Sequence, residues 1–443
     1  MADIESCTRE SSLSRRRFLA LSGAAALVPL SKPSRATIPT PATAVSDGIP
    51  EANASPNDAF WAQVRSQFLI ETDLTYMNNG SLGPMPLAVV EANDRAARHL
   101  ARDPIDYKRE DEREEVRARL ATFVGADVEE IAITRSTTEG MNTFAHGIDW
   151  RPGDEVLMCT HEHPGGYGGY QTLEARRGIR IKRIELPTPP QDPEQILDLY
   201  RQAMSPRTRV VVVSHITFVT GLRMPVKELA NIAHAQGALL SIDGAHPLGM
   251  IALDMKDLGC DHYAASGQKW LLGGTGTGFC YIRRDLQEKI WPLMGYADRE
   301  QAASGRLGAR KYEMSGQQNL PSISGLGTAI KLQERIGKAN IEARVQALGK
   351  QLREGLAAIP EVKLWTPVDA QLCAGLTSFT VGQVPRHTVA RTVRERTGIF
   401  VLPMPAGELN AVRVSTHIYN VQADVKRLLS VVRYIAENEL DFA

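Results

Sequence analysis

The sequence predicts an α/β protein with a large, doubly wound, mostly parallel sheet domain and a smaller α/β domain at the carboxyl end. Short apolar runs such as Val210–Val213 alternate with helix-like stretches between residues 131 and 243. Strands that are apolar throughout belong in parallel sheets covered by helices on both faces. The chain has 443 residues, 43% of them hydrophobic, which is enough for a large core and two or three domains.

Residues 1–44 have the layout of an export signal followed by a linker. Arg15, Arg16 and Arg17 precede Phe18-Leu19, and an apolar run continues to Leu30. A basic N-terminal region, a short hydrophobic stretch and a cleavage site with small residues are typical of a signal peptide. The apolar run is too short to cross a bilayer as a stable helix. The alternative is a disordered basic tail that contains an apolar patch by chance.

The paired arginines before Phe18-Leu19 resemble the twin-arginine signal, which exports proteins that have already folded. Either Arg15-Arg16 or Arg16-Arg17 can be the pair, and cleavage after Ala36 or after Ala44 fits the small residues there. This leader predicts a periplasmic or secreted protein that is carried by the twin-arginine translocation machinery.

We predict three parts in the rest of the chain. The first, residues 45–74, is an N-terminal segment with a short helix near Phe60–Phe68. Residues 75–320 form the large domain. It starts with a strand at Thr75-Tyr76 and a glycine-rich loop, and a helical pattern follows from Pro86 to Phe123. Its further strands are predicted at Ile131–Thr134, Glu155–Cys159, Ile179–Ile184, Val210–His215 and Leu239–Asp243, with helices between them.

Residues 321–443 form the predicted small domain, and one long helix leads into it from near Leu320 past Lys350. A second helix is predicted at Val389–Thr397, and a closing helix starts at Val421. The strands of this domain are predicted at Lys363–Trp365, Thr377–Val381, Ile399–Leu402 and Val412–Ser415.

Charge and cysteine content exclude several classes of protein. The chain has 51 basic and 51 acidic residues, so its formal net charge of zero gives no electrostatic reason to bind nucleic acid or an anionic membrane. Its five cysteines show no Cys-x-x-Cys spacing. We therefore predict buried free thiols rather than a disulfide framework or a zinc site.

An acid at a strand end and a lysine downstream indicate the chemistry. Asp243 ends an apolar strand, and Lys269 follows Ser266, Gly267 and Gln268. An enzyme that uses pyridoxal 5'-phosphate (PLP) needs a lysine amine for the Schiff base and a carboxylate that keeps the pyridine nitrogen protonated. The glycine run at 273–278 does not open a βαβ unit, so it is not a dinucleotide-binding motif. The sequence thus predicts a PLP enzyme.

Five motifs in one order resemble those of the class V aminotransferases, which are fold-type I PLP enzymes and include cysteine desulfurases, kynureninase and isopenicillin N epimerase. The motifs are Thr134–Asn142, His161–Gly165, Asp243–His246, Ser266–Lys269 and Val412–Asn420. The resemblance covers residues 75–419 and implies a fold-type I PLP transferase.

The resemblance also implies the cofactor site. Lys269 is the Schiff-base lysine, Asp243 pairs with the pyridine nitrogen, and His163 stacks on the pyridine ring. His246 lies near the ring oxygen. The expected ligands of the cofactor phosphate are Thr137, Thr138, Ser266 and Gln268, although relatives often have histidine at the position of Gln268. An ordinary helix N-cap is the alternative for the threonines.

Substrate binding and assembly are implied in the same way. Arg413 lies in an apolar strand, and its planar fork suits a substrate carboxylate. Asn79 either faces the same substrate or is a plain turn asparagine. Gln317 lies where relatives reach across a dimer interface to the neighbour's phosphate, which implies a homodimer with shared active sites.

The motifs leave transamination, epimerisation and elimination open, with Lys269 as the proton carrier. Cysteine desulfurases carry a nucleophilic cysteine ahead of the arginine motif, and Gly398–Pro405 has none, so persulfide formation by that route is disfavoured.

The leader and the Gln-Lys-Trp-Leu pattern resemble the isopenicillin N epimerase-like subgroup. This implies an aminotransferase- or epimerase-like enzyme for an amino acid or an amino-acid-containing secondary metabolite. A carbon–sulfur lyase is the alternative enzyme. A non-catalytic binding module would be expected to lack Lys269 or Asp243.

Overall fold

The computed structural model describes residues 56–108, 110–190, 192–295, 307–404 and 409–438. The predicted signal peptide and linker, residues 1–44, lie outside the described residues, as do residues 45–55 of the N-terminal segment. The described residues belong to one compact unit. Its two larger sheets are formed by residues on either side of the predicted domain boundary near residue 320.

Strands and helices alternate through the described chain. The strands are β1 (Thr75–Tyr76), β2 (Ile131–Thr134), β3 (Glu155–Cys159), β4 (Arg180–Ile184), β5 (Thr208–Ser214), β6 (Leu239–Asp243), β7 (His262–Ser266), β8 (Gly278–Ile282), β9 (Val362–Leu364), β10 (Leu376–Val381), β11 (Ile399–Phe400), β12 (Leu402–Pro403) and β13 (Val412–Ser415). The α-helices are α1 (Asp58–Arg65), α2 (Leu87–Arg102), α3 (Glu110–Val124), α4 (Thr137–Gly147), α5 (Pro164–Arg177), α6 (Pro193–Ala203), α7 (Val226–Ala235), α8 (Met255–Leu258), α9 (Leu320–Ile336), α10 (Lys338–Ala357), α11 (Arg386–Thr397) and α12 (Gln422–Glu437). Short 3-10 helices lie at Pro104–Lys108, Val128–Glu130, Arg284–Leu286 and Gly308–Glu313.

The large sheet of the described chain has seven strands in the order β2-β8-β7-β6-β5-β3-β4. The neighbours from β7 to β4 pair in parallel, and β8 runs antiparallel to both of its partners. This confirms the predicted α/β fold with a mostly parallel sheet. The sequence analysis did not place β7 and β8 in the sheet.

Both faces of the large sheet are buried, which explains its apolar strands. In β5, Val211 and Val213 pack into one hydrophobic cluster, whereas Val210 and Val212 pack into another. Successive side chains of a strand point to opposite faces, so the two clusters lie on the two sides of the sheet. Each face must therefore be covered, as helices do in doubly wound folds.

The second sheet has the order β12-β13-β10-β9, and its strands pair antiparallel. Val412 and Val414 of β13 pack into the core of this region with Phe379 and Leu352. Because side chains alternate along a strand, Arg413 projects to the opposite face.

The structure divides three of the predicted helices and strands into shorter elements. The single helix from Leu320 past Lys350 is wrong, because α9 and α10 are separate helices that meet at Gly337, whose φ of 90° lies outside the helical range. The predicted helical pattern from Pro86 to Phe123 is interrupted by the 3-10 helix that starts at Pro104. The predicted strand Ile399–Leu402 is two strands, because β11 pairs with β1 and β12 pairs with β13.

Candidate active site

The carboxyl ends of the parallel strands meet at one edge of the large sheet, where open α/β sheets bind their ligands. A cavity of about 560 Å³ lies there. Its lining comprises Gly80, Ser81, Ser136, Thr137, Thr138, His163, Gly165, Phe218, Asp243, Ala245, His246, Ser266, Gln268, Lys269, Leu402, Pro403, Met404 and Arg413. Nine of the predicted site residues, Arg413 among them, lie in this lining, although they come from five separate motifs.

One end of the cavity is lined by the first turn of α4. Ser136 is the N-cap of this helix, and its Oγ accepts a hydrogen bond from the Glu139 N–H at 3.2 Å. The capping role therefore belongs to Ser136 and not to the two threonines. The Thr137 N–H donates to Ser266 Oγ at 2.9 Å, and the two hydroxyl oxygens lie 2.7 Å apart. The hydroxyl groups and the positive end of the helix dipole at such a helix start suit a phosphate.

Gln268 also lines the cavity, and its amide can donate to an anion only through the Nε2–H₂ group. Its Oε1 is buried without a hydrogen-bond partner in the described part of the chain, and the side chain lines the cavity. Its backbone oxygen accepts a hydrogen bond from the Gly83 N–H at 2.8 Å. A Cβ on Gly83 would lie 2.1 Å from the Lys269 carbonyl oxygen, so only glycine lets the two segments approach this closely. The glycine-rich loop thus holds the Gln268–Lys269 backbone in place.

Lys269 projects into the cavity from this segment. Burial lowers the pKa of its amine to about 8, although the nearby Asp243 carboxylate acts in the opposite direction. A neutral amine is the form that attacks a carbonyl, so a lowered pKa makes Lys269 more reactive than a surface lysine near neutral pH.

Asp243 ends β6 and is only 4% exposed. Burial raises the pKa of its carboxyl group, and the Ala245 N–H, which donates to Oδ1 at 3.0 Å, acts against this. A Cβ on Gly166 would lie 2.8 Å from Oδ2, so the first turn of α5 passes close over the carboxylate. A buried carboxylate is stabilised by a cationic partner, and the protonated ring nitrogen of PLP would supply one.

Two histidines face the cavity as neutral rings. His163 caps α5 by accepting the Gly165 N–H on Nδ1 at 3.0 Å, and His246 accepts the Trp270 Nε1–H on Nδ1 at 3.2 Å. Burial lowers the pKa of both imidazoles. Each neutral ring therefore carries its proton on Nε2.

The orientation of the His163 ring is set by Phe218. Their ring centroids lie 4.9 Å apart with an angle of 83° between the planes. An edge-to-face contact of this kind is favourable and fixes the plane of the histidine. The ring that was predicted to stack on the cofactor is thus held by packing as well as by its helix cap.

Arg413 is a buried cation without a carboxylate partner among the described residues. It is 3% exposed, and burial lowers its pKa to about 10. Its Nη1–H donates to the Phe218 carbonyl oxygen at 3.0 Å and its Nη2–H to Ser81 Oγ at 3.2 Å, while Nε has no partner. A buried charge without a partner is costly, so this geometry fits an arginine that binds an anionic ligand.

Two predicted residues lie outside the cavity lining. Asn79 is buried, and its Oδ1 accepts a hydrogen bond from the Tyr419 hydroxyl at 3.1 Å, whereas its Nδ2 has no partner among the described residues. Its predicted substrate contact stays a prediction beside the structural alternative. Gln317 is exposed between the 3-10 helix at 308–313 and α9. Its predicted role across a dimer interface stays a prediction.

Sequence reasoning missed Phe218 and Ser81, which both contact Arg413. Position along the chain was the available signal for Phe218, because it follows the carboxyl end of a parallel strand, where α/β sheets place their ligand contacts. Ser81 had no signal beyond its place in the glycine-rich loop.

The residues present fit PLP. An anion site at the start of α4, a lysine amine, a buried carboxylate and an oriented histidine ring are the groups that its phosphate, aldehyde, ring nitrogen and ring face require.

Among the described residues, no cluster of histidine, cysteine or acidic side chains suits a metal ion. No described helix is long and apolar enough to cross a membrane.

Comparison with known proteins assigns the family. The family model for aminotransferase class-V matches residues 93–428. The chain belongs to the class V aminotransferase family. Members of this family and the PLP-bound structures below support PLP as the cofactor.

The relatives of this family member carry two kinds of name. Isopenicillin N epimerase of Amycolatopsis lactamdurans is 30% identical over 399 residues, with 85% of this chain and 99% of the relative covered. Isopenicillin N epimerase of Streptomyces clavuligerus is 29% identical over 390 residues, with 84% of this chain and 97% of the relative covered. A probable cysteine desulfurase of Methanothermobacter thermautotrophicus is 29% identical over 398 residues, with 84% of this chain and 97% of the relative covered.

Solved structures give the same fold. A mutant of the enzyme C-DES with glycine covalently linked to its PLP cofactor superposes with a TM-score of 0.75 at 27% identity, with 83% of this chain and 98% of that chain covered. A second C-DES structure, described as the complex between this cystine C–S lyase and its reaction product cysteine persulfide, superposes with a TM-score of 0.74 at 25% identity. The superposition covers 82% of this chain and 98% of that chain. These neighbours confirm the predicted fold-type I PLP enzyme fold.

Proposed function

We propose that this protein is a PLP-dependent enzyme that acts at the α-carbon of an amino acid or of an amino-acid-containing secondary metabolite, in the manner of an epimerase or aminotransferase. The observation that carries the proposal is Arg413, a buried guanidinium beside Lys269 that lacks a carboxylate partner in the described chain. An α-amino acid offers a carboxylate to the arginine and places its α-carbon near the lysine amine. The relatives named isopenicillin N epimerase support the same class of reaction.

Each residue has a physical role in this proposal. Bound PLP supplies an electron sink for the bond that breaks at the α-carbon. Arg413 holds the substrate carboxylate with its free N–H groups. Lys269 Nζ, with its pKa lowered to about 8, takes and returns the α-proton. Asp243 keeps a proton on the ring nitrogen, and His163 holds the ring plane.

The cavity wall beside Arg413 is apolar. Leu402 is the antiparallel partner of Arg413 in the second sheet, so their side chains lie on the same face. Pro403, Met404 and Phe218 line the cavity with Leu402. A substrate whose carboxylate is bound by Arg413 therefore places part of its remaining structure against apolar side chains.

A carbon–sulfur lyase is the second candidate, because one structural neighbour is described as a cystine C–S lyase and several relatives are named cysteine desulfurases. Persulfide chemistry on the protein is not part of this candidate. The sequence has no cysteine after Cys373. Cys373 is buried, donates from Sγ to the Asp369 carbonyl oxygen at 2.9 Å, and does not line the cavity.

Product analysis separates these candidates. Purified holoenzyme should change its visible spectrum when the right amino acid or peptide is added, and products formed in D₂O are then analysed by mass spectrometry and chiral chromatography. Deuterium at the α-carbon with a changed configuration identifies an epimerase, a keto acid identifies an aminotransferase, and pyruvate with a sulfur product identifies a lyase. The Lys269→Ala variant is the control. No spectral response to any amino acid or amino-acid-containing compound would contradict the proposed function.

We further propose that the enzyme is exported folded through the twin-arginine route with PLP already bound and works as a homodimer. The three arginines at 15–17 and the weakly apolar run after them, rich in Ala, Ser and Gly, support export. Changing Arg15, Arg16 and Arg17 to Lys should leave an uncleaved, yellow enzyme in the cytoplasm upon fractionation. Export and cleavage of this variant as in the wild type would refute the route and leave the PLP assignment untouched.

A further inference from the structure

Glu162 is a buried carboxyl group beside the cofactor site whose role the proposed chemistry does not explain. It lies in the turn between β3 and α5, directly before His163, and is 3% exposed. Its Oε2 accepts a hydrogen bond from Ser214 Oγ at 2.6 Å, and its Oε1 accepts one from Cys159 Sγ at 3.0 Å. No basic side chain of the described residues forms an ion pair with it. An apolar residue would fill this space at lower cost if packing were its role.

The two hydrogen bonds join the elements that carry the site. Cys159 is the last residue of β3, and Ser214 is the last residue of β5. Ser214 lies in register with Asp243 of the adjacent strand β6. Glu162 therefore connects the turn that carries His163 to the strand end next to Asp243.

The far side of this turn also contacts Asp243. The first turn of α5 passes so close that a Cβ on Gly166 would lie 2.8 Å from Asp243 Oδ2. Any shift of the turn would therefore change the position of the His163 ring and of the backbone over the carboxylate together. The distance between the ring face and the nitrogen-binding carboxylate depends on the anchor that Glu162 provides.

We propose that Glu162 is a positioning residue of the cofactor site, which anchors the His163 turn to Ser214 and Cys159 and, in its ionised form, adds a negative charge behind Asp243. The inference depends on PLP binding and not on which reaction follows. Burial raises the pKa of Glu162 to about 7, and Asp243 acts in the same direction. Burial also raises the pKa values of the neighbouring Cys159 and Tyr200 well above their usual range, so neither of them becomes charged near neutral pH.

The test compares two isosteric changes at buried glutamates. Glu162→Gln removes the charge and turns an amide N–H₂ group toward a donor, so that one hydrogen bond is lost. Glu155→Gln is the matched control, because Glu155 is also 3% exposed but starts β3 at the other end of the sheet, where it bonds Ser205 and Arg207. Both variants are prepared as full-length holoenzymes, and cofactor dissociation, the pH titration of the visible cofactor absorbance and the melting temperature are measured.

We expect Glu162→Gln to weaken cofactor retention about tenfold and to move the midpoint of the absorbance titration about half a pH unit lower. The direction follows because Glu162 is mainly ionised above its raised pKa of about 7, and in that pH range the loss of its negative charge destabilises the protonated form of the lysine–cofactor linkage. Glu155→Gln should lower the melting temperature and leave both cofactor measurements at the wild-type values.

If Glu162→Gln does not fold, Ser214→Ala supplies the same test. It removes one donor to Glu162 and should move both cofactor measurements in the same direction by a smaller amount. The proposal is overturned if whichever variant folds changes only the melting temperature, as Glu155→Gln does, while cofactor retention and the absorbance midpoint stay at the wild-type values.

Discussion

Replacement of Arg413 with lysine tests the proposed substrate contact most directly. The guanidinium has five N–H donors in a planar fork, whereas a lysine ammonium has three donors at one point. In the structure, Nη1 is engaged by the Phe218 carbonyl oxygen and Nη2 by Ser81 Oγ, and Nε has no partner among the described residues. Arg413→Lys keeps the positive charge in the cavity but cannot hold these contacts and a carboxylate at the same time.

The expected loss is the strength of one hydrogen bond between charged groups. Such a bond contributes about 1.5–3 kcal/mol, which corresponds to a decrease of roughly 10- to 150-fold in kcat/KM. The decrease should come mainly from KM, because the carboxylate is bound in the ground state as well as in the transition state. The spectrum of the resting holoenzyme should not change, because Arg413 does not belong to the predicted cofactor ligands.

The assay is steady-state kinetics together with spectral titration of the holoenzyme by its amino acid substrate. Arg353→Lys is the matched control. Arg353 is also a buried arginine, at 1% exposure, and its Nη1–H donates to the Ala374 carbonyl oxygen, but it does not line the cavity. This control should lower the melting temperature and leave KM unchanged. An unchanged KM in Arg413→Lys would refute the reasoning and would indicate a substrate without a free α-carboxylate.

Three further predictions concern the cofactor. Lys269→Ala should bind PLP only non-covalently and be inactive, and borohydride reduction of the wild type should place a pyridoxyl mass on the peptide that contains Lys269; a label on another lysine would contradict the assignment. Asp243→Asn should leave the fold intact and lower kcat by about two orders of magnitude or more, because an unprotonated pyridine is a poor electron sink; near-normal turnover would show that Asp243 is structural. Because the pKa of Lys269 is lowered to about 8, about half of the amine is neutral at that pH and nearly all of it one pH unit higher, so the rate of PLP uptake by apoprotein should reach its plateau at about pH 9. A rate that continues to rise to pH 10 in stopped-flow absorbance would indicate an ordinary lysine.

Local patterns in the sequence determined most of the large sheet. The strands β2, β3 and β6 begin and end at the predicted residues, because strands buried on both faces are mostly apolar and stop where polar residues begin. The same pattern placed Asp243 at a strand end, and the order of the five motifs identified the lysine and the family. These features depend on residues that are close together in the chain, so the sequence alone could show them.

The neighbours of each site residue were decided only by the tertiary structure. Arg413 contacts the carbonyl of Phe218 and the hydroxyl of Ser81, which lie far from it in sequence. Asn79 is bonded to Tyr419 rather than exposed to the cavity, and Glu162 is buried between two strand ends. A motif specifies the type and order of its residues, but hydrogen-bond partners and burial depend on the register between distant elements. For that reason the sequence determined most of the ionisable side chains of the site, and the packing of the sheets decided their neighbours and which of their charges are left without a partner.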